Sequence, residues 1–273
     1  MSEGKSLKSR DAEVQCLQRE KLKLEIYPTR EEAGAAAAKA AAKELNRLSQ
    51  QSGHIGVIFA TGASQLATLR ALRRIPDLPW DRLRGFHMDE YVGISPDHRA
   101  SFRRYLRTEL IDQVQMDRFF EIDGNNPAPE RECEKYADML SLVKPHLCLL
   151  GIGENGHLAF NDPGVADFDD PLDMKIVNLD NDCKQQQVAE GWFSSLDEVP
   201  AQALTLTIPA LFRVPKLIVS VPGLRKAAVV KRTLSEAITT TCPATILRTH
   251  PDATVYLDSD SATELDRHDP LSI

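Results

Sequence analysis

Hydrophobic and polar positions along this chain follow two alternating patterns. Short apolar or alternating runs are typical of strands, and they occur at residues 22–27, 55–60, 85–88, 147–151, 217–221 and 253–257. Longer segments with apolar residues every three or four positions are typical of helices, and they occur at residues 35–48, 66–72, 102–111, 130–142 and 225–237. Because strands and helices alternate, the pattern predicts an α/β fold with a doubly wound, mostly parallel sheet and helices on both faces.

The ends of the pattern indicate how the chain is organised. Residues 1–20 are polar and highly charged, which predicts a mobile N-terminal arm or a surface helix. Residues 22–27 then predict an edge strand, and Thr29 with Glu32 predicts a capping box at the start of the alanine-rich helix. No repeat, linker or shift in composition follows, so we expect residues 21–273 to form one domain. Residues 161–171, dense in Asp and Pro, predict a loop too polar for the core.

Composition and charge narrow the class of protein. With 273 residues, of which 42% are hydrophobic, the chain can fill a core, which excludes wholesale disorder. A net charge of −7 argues against a nucleic-acid partner or an anionic membrane surface. No apolar run is long enough to span a membrane, and no signal peptide is evident. The five scattered cysteines favour a reducing cytoplasm over a disulfide framework or a zinc site.

The first candidate site is the segment Thr61, Gly62, Ala63 and Ser64, between a predicted strand and a predicted helix. In an open parallel sheet, ligands bind beyond the carboxyl ends of the strands. Gly62 lets the backbone approach a ligand, and the two hydroxyls with the helix N-terminus offer hydrogen-bond donors to an anion. The alternative is a tight turn in which Ser64 caps the helix.

The second candidate is the pair Asp89 and Glu90, directly after the strand predicted at residues 85–88. Burying an ionised carboxylate at a strand end inside a sheet costs free energy, so two acids are poorly placed there for structure alone. One of them could be a general base whose pKa is raised by partial burial. The alternative is one acid that caps a helix and a second that is solvated.

The third candidate is a glycine-rich loop that follows the strand predicted at residues 147–151. Gly151, Gly153 and Gly156 indicate a backbone that crowds a ligand or turns through positive φ. His157 in this loop is a candidate acid or base, with Asp162 five positions later. A histidine that only satisfies local hydrogen bonds is the alternative.

A fourth, weaker feature is the basic segment at residues 223–226. Arg225 and Lys226 lie at the start of a predicted helix, where cations oppose the helix dipole unless an anion is bound. Together, Thr61, Ser64 and Lys226 would form a phosphate site. Ordinary surface basicity is the alternative.

Taken together, these segments resemble the glucosamine-6-phosphate deaminase (isomerase) family, within the superfamily that also holds 6-phosphogluconolactonase. The resemblance covers about residues 22–265, and the motifs occur in the family's order. They are ATGAS at residues 60–64, MDEYVG at 88–93, His98 with Ser101 and Phe102, GIGENGHLAFNDPG at 151–164, residues 203–205, residues 223–226, and PATIL at 243–247 followed by His250 and Pro251. The resemblance implies a Rossmann-like fold and an aldose–ketose isomerisation with deamination, by which a hydrolase of this kind converts glucosamine 6-phosphate (or a close amino-sugar phosphate) and water into fructose 6-phosphate and ammonia, with no metal or organic cofactor.

The resemblance also implies roles for individual residues. Asp89 matches the base that moves a proton from C2 to C1, and His157, assisted by Asn155 and Asp162, matches the residue that opens the sugar ring. Thr61, Gly62, Ala63, Ser64 and Lys226 match the region that binds the phosphate. Family members occur as monomers and as larger assemblies, so a homo-oligomer is compatible with the resemblance. It implies no nucleic-acid or membrane partner.

Three departures from the family pattern leave alternatives open. Asn155 stands where many members have Asp. Asp162 replaces a Glu and is one methylene shorter, so we expect its carboxylate to fall roughly 1.5 Å short unless the loop moves in. A phosphate-binding Arg of the family has no clear counterpart, and Lys184 is the nearest basic residue.

The alternatives are a 6-phosphogluconolactonase-type hydrolase and a catalytically weakened sugar-phosphate-binding protein. The lactonase pattern has Arg where Tyr91 follows the acid pair, and it lacks the continuation at residues 160–163. The shorter Asp162 and the missing Arg would suit the binding protein. The configuration of the amino sugar, gluco or galacto, stays open.

Overall fold

The structure is a computed structural model that describes residues 14–51, 53–179, 181–189 and 191–265. Its strands are β1 (Gln15–Arg19), β2 (Leu22–Tyr27), β3 (Ile55–Phe59), β4 (Leu83–His87), β5 (Asp89–Tyr91), β6 (Arg118–Phe120), β7 (Leu147–Leu150), β8 (Met174–Asn178), β9 (Gln202–Leu206), β10 (Lys216–Ser220) and β11 (Ala253–Asp258). Its helices are α1 (Arg30–Ser49), α2 (Leu66–Leu72), α3 (Phe102–Glu109), α4 (Pro129–Val143), α5 (Asn181–Ala189), α6 (Ile208–Phe212) and α7 (Ala227–Ser235). Short 3-10 turns cover Trp80–Arg82, Ile111–Gln113, Leu196–Glu198, Leu224–Lys226 and Pro243–Thr249.

The larger sheet has eight strands in the order β1-β2-β11-β10-β7-β3-β4-β6. Every neighbouring pair is parallel except β1 with β2. The carboxyl ends of β2, β11, β10, β7, β3 and β4 therefore lie along one edge of the sheet. The loops on that edge are where open parallel sheets bind ligands.

Hydrophobic side chains cover both faces of this sheet. On one face, Val57 and Phe59 of β3 pack with buried alanines and leucines of α1 and α2. On the other face, Ile58 and Phe86 pack with Tyr136 of α4. Helices on both faces of a mostly parallel sheet confirm the predicted doubly wound fold.

The start of α1 follows its sequence signal. The Thr29 hydroxyl accepts a hydrogen bond from the Glu32 amide at 3.2 Å, and the Glu32 carboxylate accepts one from the Thr29 amide at 3.1 Å. The predicted capping box is confirmed. By contrast, Ser64 does not cap α2, because Gln65 occupies the N-cap position and makes no capping bond with its side chain.

The predicted N-terminal arm is wrong for part of its length. Residues 15–19 form β1, which pairs antiparallel with β2 so that Gln15 lies opposite Ile26. The strand is short and half-exposed, which explains why its polar sequence concealed it. Strand β2 is therefore not an edge strand. Residues 1–13 lie outside the described residues.

A second sheet of three strands, in the order β5-β9-β8, was not predicted. It is antiparallel, and it places Asp89 opposite Thr205 and Thr205 opposite Lys175. Its core is a separate cluster that includes Tyr91, Phe160 and Ala203. This small sheet lies beyond the carboxyl end of β4 and so adds a wall to the ligand-binding edge.

The segment 161–171 was predicted to be too polar for the core, and this is wrong for its first two residues. Asn161 is fully buried and Asp162 nearly so. The side-chain NH₂ group of Asn161 donates to the carbonyls of Leu158 and Leu206 at 2.8 Å, which satisfies its donors but not its buried Oδ1. Of the helices in the described ranges, none is both long and apolar enough to cross a membrane.

Candidate active site

A cavity of about 450 Å³ lies at the carboxyl edge of the larger sheet. Its walls come from the loops after β3, β4, β7 and β10 and from the start of α1. The volume is in the range of sites that bind small molecules. Asp89 and His157 both line this cavity, as do Thr61, Gly62, Ala63, Ser64 and Lys226.

The backbone of Asp89 is held by a buried histidine. The amide of Ile122 donates to Nε2 of His87 at 2.8 Å, so the proton of the neutral ring is on Nδ1. Nδ1 in turn donates to the Asp89 carbonyl at 2.9 Å. Burial lowers the pKa of His87 to about 3, which keeps the ring neutral in this role.

The Asp89 carboxyl group is buried but poorly compensated. Its Oδ1 has no hydrogen-bond partner among the described residues. Burial raises the pKa of Asp89 well above 3.8, and the charges of Glu90 and Asp162 raise it further. A buried carboxylate with a raised pKa that faces a cavity is suited to accept a proton.

Glu90 faces away from the cavity and supports α3. Its carboxylate accepts hydrogen bonds from the Ser101 hydroxyl at 2.8 Å and from the amides of Phe102 and Arg103 at 3.1 Å. Burial raises the pKa of Glu90, and these bonds oppose that rise. The alternative of a capping acid and a solvated acid is wrong: Ser101 is the N-cap of α3, Glu90 accepts from the first amides of that helix, and neither acid of the pair is solvated.

His157 is oriented by the carboxylate of Asp162. Its Nδ1 lies 2.8 Å from Oδ1 of Asp162. Burial alone would raise the pKa of Asp162, but the hydrogen bond and charge of His157 and the bond from Asn155 outweigh it and lower that pKa. Because an ionised carboxylate only accepts hydrogen bonds, Nδ1 carries a proton, and Nε2 of the neutral ring is left as a base.

Two expectations about this group are corrected. The shorter side chain of Asp162 does not fall short, since it contacts His157 directly. Asn155 orients the imidazole only indirectly: its side-chain NH₂ group donates to Asp162 at 2.7 Å, and its side-chain oxygen accepts from the backbone amide of His157 at 3.0 Å. Asn155 and Asp162 therefore lie behind the cavity wall, whereas His157 lies on it.

The loop around His157 is tightly packed. A methyl group at Gly153 would lie 2.2 Å from Cε1 and Nε2 of His157, so the ring rests directly on this glycine. Ala159, which lines the cavity, has φ of 53°, a left-handed conformation that costs an alanine about 1–2 kcal/mol. Backbone strain of this kind is common at functional sites.

The segment Thr61–Ser64 turns at the carboxyl end of β3. Gly62 has φ of +92°, and its carbonyl accepts a hydrogen bond from the Tyr105 hydroxyl at 2.8 Å. The next residue, Gln65, is fully buried and donates to the carbonyl of Leu150 at 3.2 Å. Since α2 has only seven residues, the anion-binding capacity lies in the hydroxyls and amides of the loop more than in a helix dipole.

Lys226 reaches the same cavity from the far side of the sheet edge. Its Nζ donates to the carbonyl of Ile152 at 2.7 Å, which fixes the ammonium group beside the glycine-rich loop. The residue ends a 3-10 turn, and α7 begins only at Ala227. The prediction of a helix from residue 225 is therefore off by two residues.

Several lining residues were not predicted. They are Arg30, Arg99, Tyr105, Gln187 and Trp192. Lys184, expected as the nearest basic residue, does not line the cavity, whereas Gln187 from the same helix does. Only Arg30 had an accessible signal, because it closely follows a strand predicted to belong to the parallel sheet. The described residues hold no cluster of three or more His, Cys, Asp or Glu that could bind a metal ion.

Comparisons with known proteins agree with this architecture. A family model described as glucosamine-6-phosphate isomerases/6-phosphogluconolactonase matches residues 28–256. A glucosamine-6-phosphate deaminase of Exiguobacterium sp. is 32% identical over 205 residues, which cover 75% of this chain and 78% of that protein. One from Clostridium perfringens is 33% identical over 232 residues, or 82% of this chain and 93% of that protein.

Solved structures extend the comparison. A monomeric glucosamine-6-phosphate deaminase superposes with a TM-score of 0.80 at 28% identity and covers 88% of this chain and 99% of its own. A 6-phosphogluconolactonase from Trypanosoma brucei superposes with a TM-score of 0.73 at 20% identity, covering 89% of this chain and 98% of its own. At that lower identity the likeness shows the fold alone.

Proposed function

Because the chain belongs to the family of glucosamine-6-phosphate isomerases and 6-phosphogluconolactonases, we propose that it converts glucosamine 6-phosphate and water into fructose 6-phosphate and ammonia. The observation that carries the proposal is the shared cavity: a buried carboxyl group, an imidazole oriented by a carboxylate, and a hydroxyl-rich loop with a lysine all line it or support its wall. The three parts match a proton transfer, a ring opening and a phosphate anchor.

Ring opening is assigned to His157. With Nδ1 protonated and bound to Asp162, Nε2 can take the proton from the hydroxyl group on C1 and deliver it to the ring oxygen. The ring then opens to an aldehyde. Asp162 holds the imidazole in this orientation and stabilises its charged form, as a carboxylate does for a catalytic histidine in other enzymes.

The isomerisation is assigned to Asp89. The ionised carboxylate removes the proton from C2, the oxygen on C1 gains a proton from the substrate's own ammonium group, and an enolamine forms. Asp89 then returns its proton to C1, which leaves an iminium group at C2. Because burial raises its pKa, this carboxylate is a stronger base than an exposed Asp.

Deamination follows from the iminium group. Water adds to C2, the amine leaves as ammonia, and the ketone of fructose 6-phosphate remains, so this step is hydrolytic. Thr61, Gly62, Ala63, Ser64 and Lys226 hold the phosphate, which fixes the sugar against Asp89 and supplies binding energy remote from the reacting carbons.

The binding-protein alternative loses one of its two supports. It depended on an Asp162 too short to reach His157, and the two side chains are in contact at 2.8 Å. A cytoplasmic location belongs to the proposal as well, and the scattered cysteines support it.

The test is ammonia release from purified protein given glucosamine 6-phosphate or galactosamine 6-phosphate. We expect ammonia and the matching ketose phosphate in equal amounts from one of the two, and free glucosamine to be a poor substrate because it lacks the phosphate. Phosphate binding without ammonia release would favour a binding protein. Hydrolysis of 6-phosphogluconolactone in place of deamination would favour a lactonase.

A further inference from the structure

Arg30 lies where the start of α1 meets the cavity. It is the third residue after β2, whose carboxyl end lies on the same edge as those of β3, β7 and β10. Its side chain lines the cavity, and a methyl group at Gly223 would lie 2.7 Å from its Nη2. Gly223 is three residues before Lys226, so the guanidinium group lies against the turn that carries the lysine.

The packing of α1 fixes this position. Gly34 is four residues after Arg30 and therefore lies on the same face of the helix. A methyl group at Gly34 would lie 2.5 Å from Cβ of Ala67 and 2.9 Å from the amide of Thr68, so this face of α1 rests on the first turn of α2. Arg30 is thereby held beside Gly223, with its side chain on the cavity that Thr61–Ser64 and Lys226 also line.

The guanidinium group makes no hydrogen bond or ion pair with any residue in the part of the chain that the structure describes. Two other arginines near the cavity are engaged: Arg103 pairs with Asp123 at 3.0 Å, and Arg99 donates to the carbonyl of Gly191. A cation that lines a cavity without a protein partner is suited to an anionic ligand.

Charge complementarity indicates what that ligand group is. A phosphate monoester carries about −1.5 to −2 charges at neutral pH. Lys226 supplies one positive charge, and the cavity also contains the carboxyl groups of Asp89 and Glu154. A second cation is needed to balance the phosphate, and a guanidinium group can bind two phosphate oxygens at once.

Arg225 also lines the cavity, but it is adjacent to Lys226 on a 3-10 turn. Neighbouring side chains on such a turn point about 120° apart. We propose, on the basis of the proposed function, that Arg30 is the second phosphate-binding cation and grips the substrate phosphate opposite Lys226.

The experiment measures the dissociation constant of inorganic phosphate by titration calorimetry. Arg30→Met removes the charge, Arg30→Lys keeps it without the paired donors, and Arg225→Met tests the neighbouring arginine. Arg74→Met is the matched control, since Arg74 is exposed and does not line the cavity. We expect Arg30→Met to weaken phosphate binding about tenfold to a hundredfold, the range of hydrogen bonds to charged groups. Arg30→Lys should weaken it less, and Arg74→Met should not change it.

The kinetic constants distinguish a phosphate-binding role of Arg30 from a purely structural one. Arg30→Met should raise KM for glucosamine 6-phosphate with little change in kcat, because a contact to the unreactive phosphate is the same before and during the reaction. The kcat/KM for free glucosamine should stay the same, since that sugar has no phosphate.

The outcomes separate this inference from the proposed function. The inference is overturned if Arg30→Met binds phosphate as tightly as the unsubstituted protein, if only Arg225→Met weakens binding, or if the unsubstituted protein does not bind millimolar phosphate. If the protein releases ammonia but Arg30→Met does not weaken phosphate binding, the proposed function holds and the inference about Arg30 fails. Weaker phosphate binding in Arg30→Met, in a protein that releases no ammonia, would support Arg30 and reject the deaminase.

Discussion

The two faces of strand β5 carry adjacent acids, Asp89 and Glu90, that differ in how many hydrogen bonds their carboxylates accept. Asp89 and Glu90 are 7% and 0% exposed, so both have lost most contact with water. Glu90 accepts hydrogen bonds from the Ser101 hydroxyl and from the amides of Phe102 and Arg103. One carboxylate oxygen of Asp89 has no partner in the described part of the chain and the side chain lines the cavity.

The difference shows how one strand can carry a structural acid and a reactive acid side by side. Burial penalises the ionised form of both groups. For Glu90, the donors of α3 replace the lost water, and the acid stabilises the helix. For Asp89 the replacement is incomplete, so the ionised group stays high in energy and is ready to take a proton.

The largest expected effect is that of Asp89→Asn on catalysis. The amide cannot accept the C2 proton, so we expect kcat for ammonia release to fall by about a thousandfold or more. Phosphate binding should persist, because the loop and the lysine are unchanged. A variant that still deaminates at a near-normal rate would show that another group is the base.

The same variant has a second expected effect, on stability. Since the folded-state pKa of Asp89 is raised, its ionisation costs stability. The cost is complete above the folded-state pKa and declines to nothing only as the pH falls to the ordinary pKa that Asp has in the unfolded chain. Asparagine is never charged, so Asp89→Asn should raise the melting temperature at neutral pH. The thermal unfolding of both proteins measures it, and a lowered melting temperature would contradict a poorly compensated carboxylate.

Glu90→Gln comes next in size, and its effect should fall on stability. The amide group of glutamine would face backbone and hydroxyl donors, and Arg103, whose Nε lies 3.5 Å from the carboxylate, would lose its buried partner. We expect the free energy of unfolding to fall by roughly 2–4 kcal/mol, measured in urea. Ammonia release per folded molecule should change far less than in Asp89→Asn, because Glu90 does not line the cavity. Equal losses of kcat in both variants would contradict the division of roles.

The smallest expected effect is on the pH profile. On the acid side, kcat/KM should begin to fall at a pH above the ordinary pKa of a carboxyl group, since the ionised form of Asp89 is the base and its pKa is raised. We call this fall the acid limb. The charge of Glu90 contributes to that rise, after burial. Glu90→Gln should therefore move the acid limb to lower pH, changing the rate at one pH by less than about tenfold. An unmoved limb would mean that Glu90 is uncharged in the folded enzyme.

The sequence predicted the larger sheet better than the smaller one, for a physical reason. Strands β3, β7 and β10 are buried on both faces and read as continuous apolar runs. Strand β5 consists of Asp, Glu and Tyr, and β8 has half-exposed positions, so their hydrophobic pattern does not indicate strands. They are strands because of pairing with β9, which is distant in sequence.

The residues of the candidate site also differ in how well the sequence predicted them. Asp89, His157 and the segment Thr61–Ser64 stood out by residue type next to a strand end, and they line one cavity. The reach of Asp162 could not be predicted from side-chain length, because the backbone path of its loop decides it. The signal of Arg30 was its position shortly after a strand, since an arginine at the start of an alanine-rich helix is ordinary until the sheet order places it at the cavity.

The contact between Gly153 and the ring of His157 couples the glycine-rich loop to the imidazole. The loop from Gly153 to His157 is closed by a backbone hydrogen bond of 3.0 Å between its ends, and the imidazole rests on the glycine that begins it. Ring and loop therefore behave as one mechanical unit. A displacement of this loop would carry the imidazole away from Asp162 and break the hydrogen bond that orients it. The orientation of His157 therefore depends on the conformation of the glycine-rich loop as well as on its carboxylate partner.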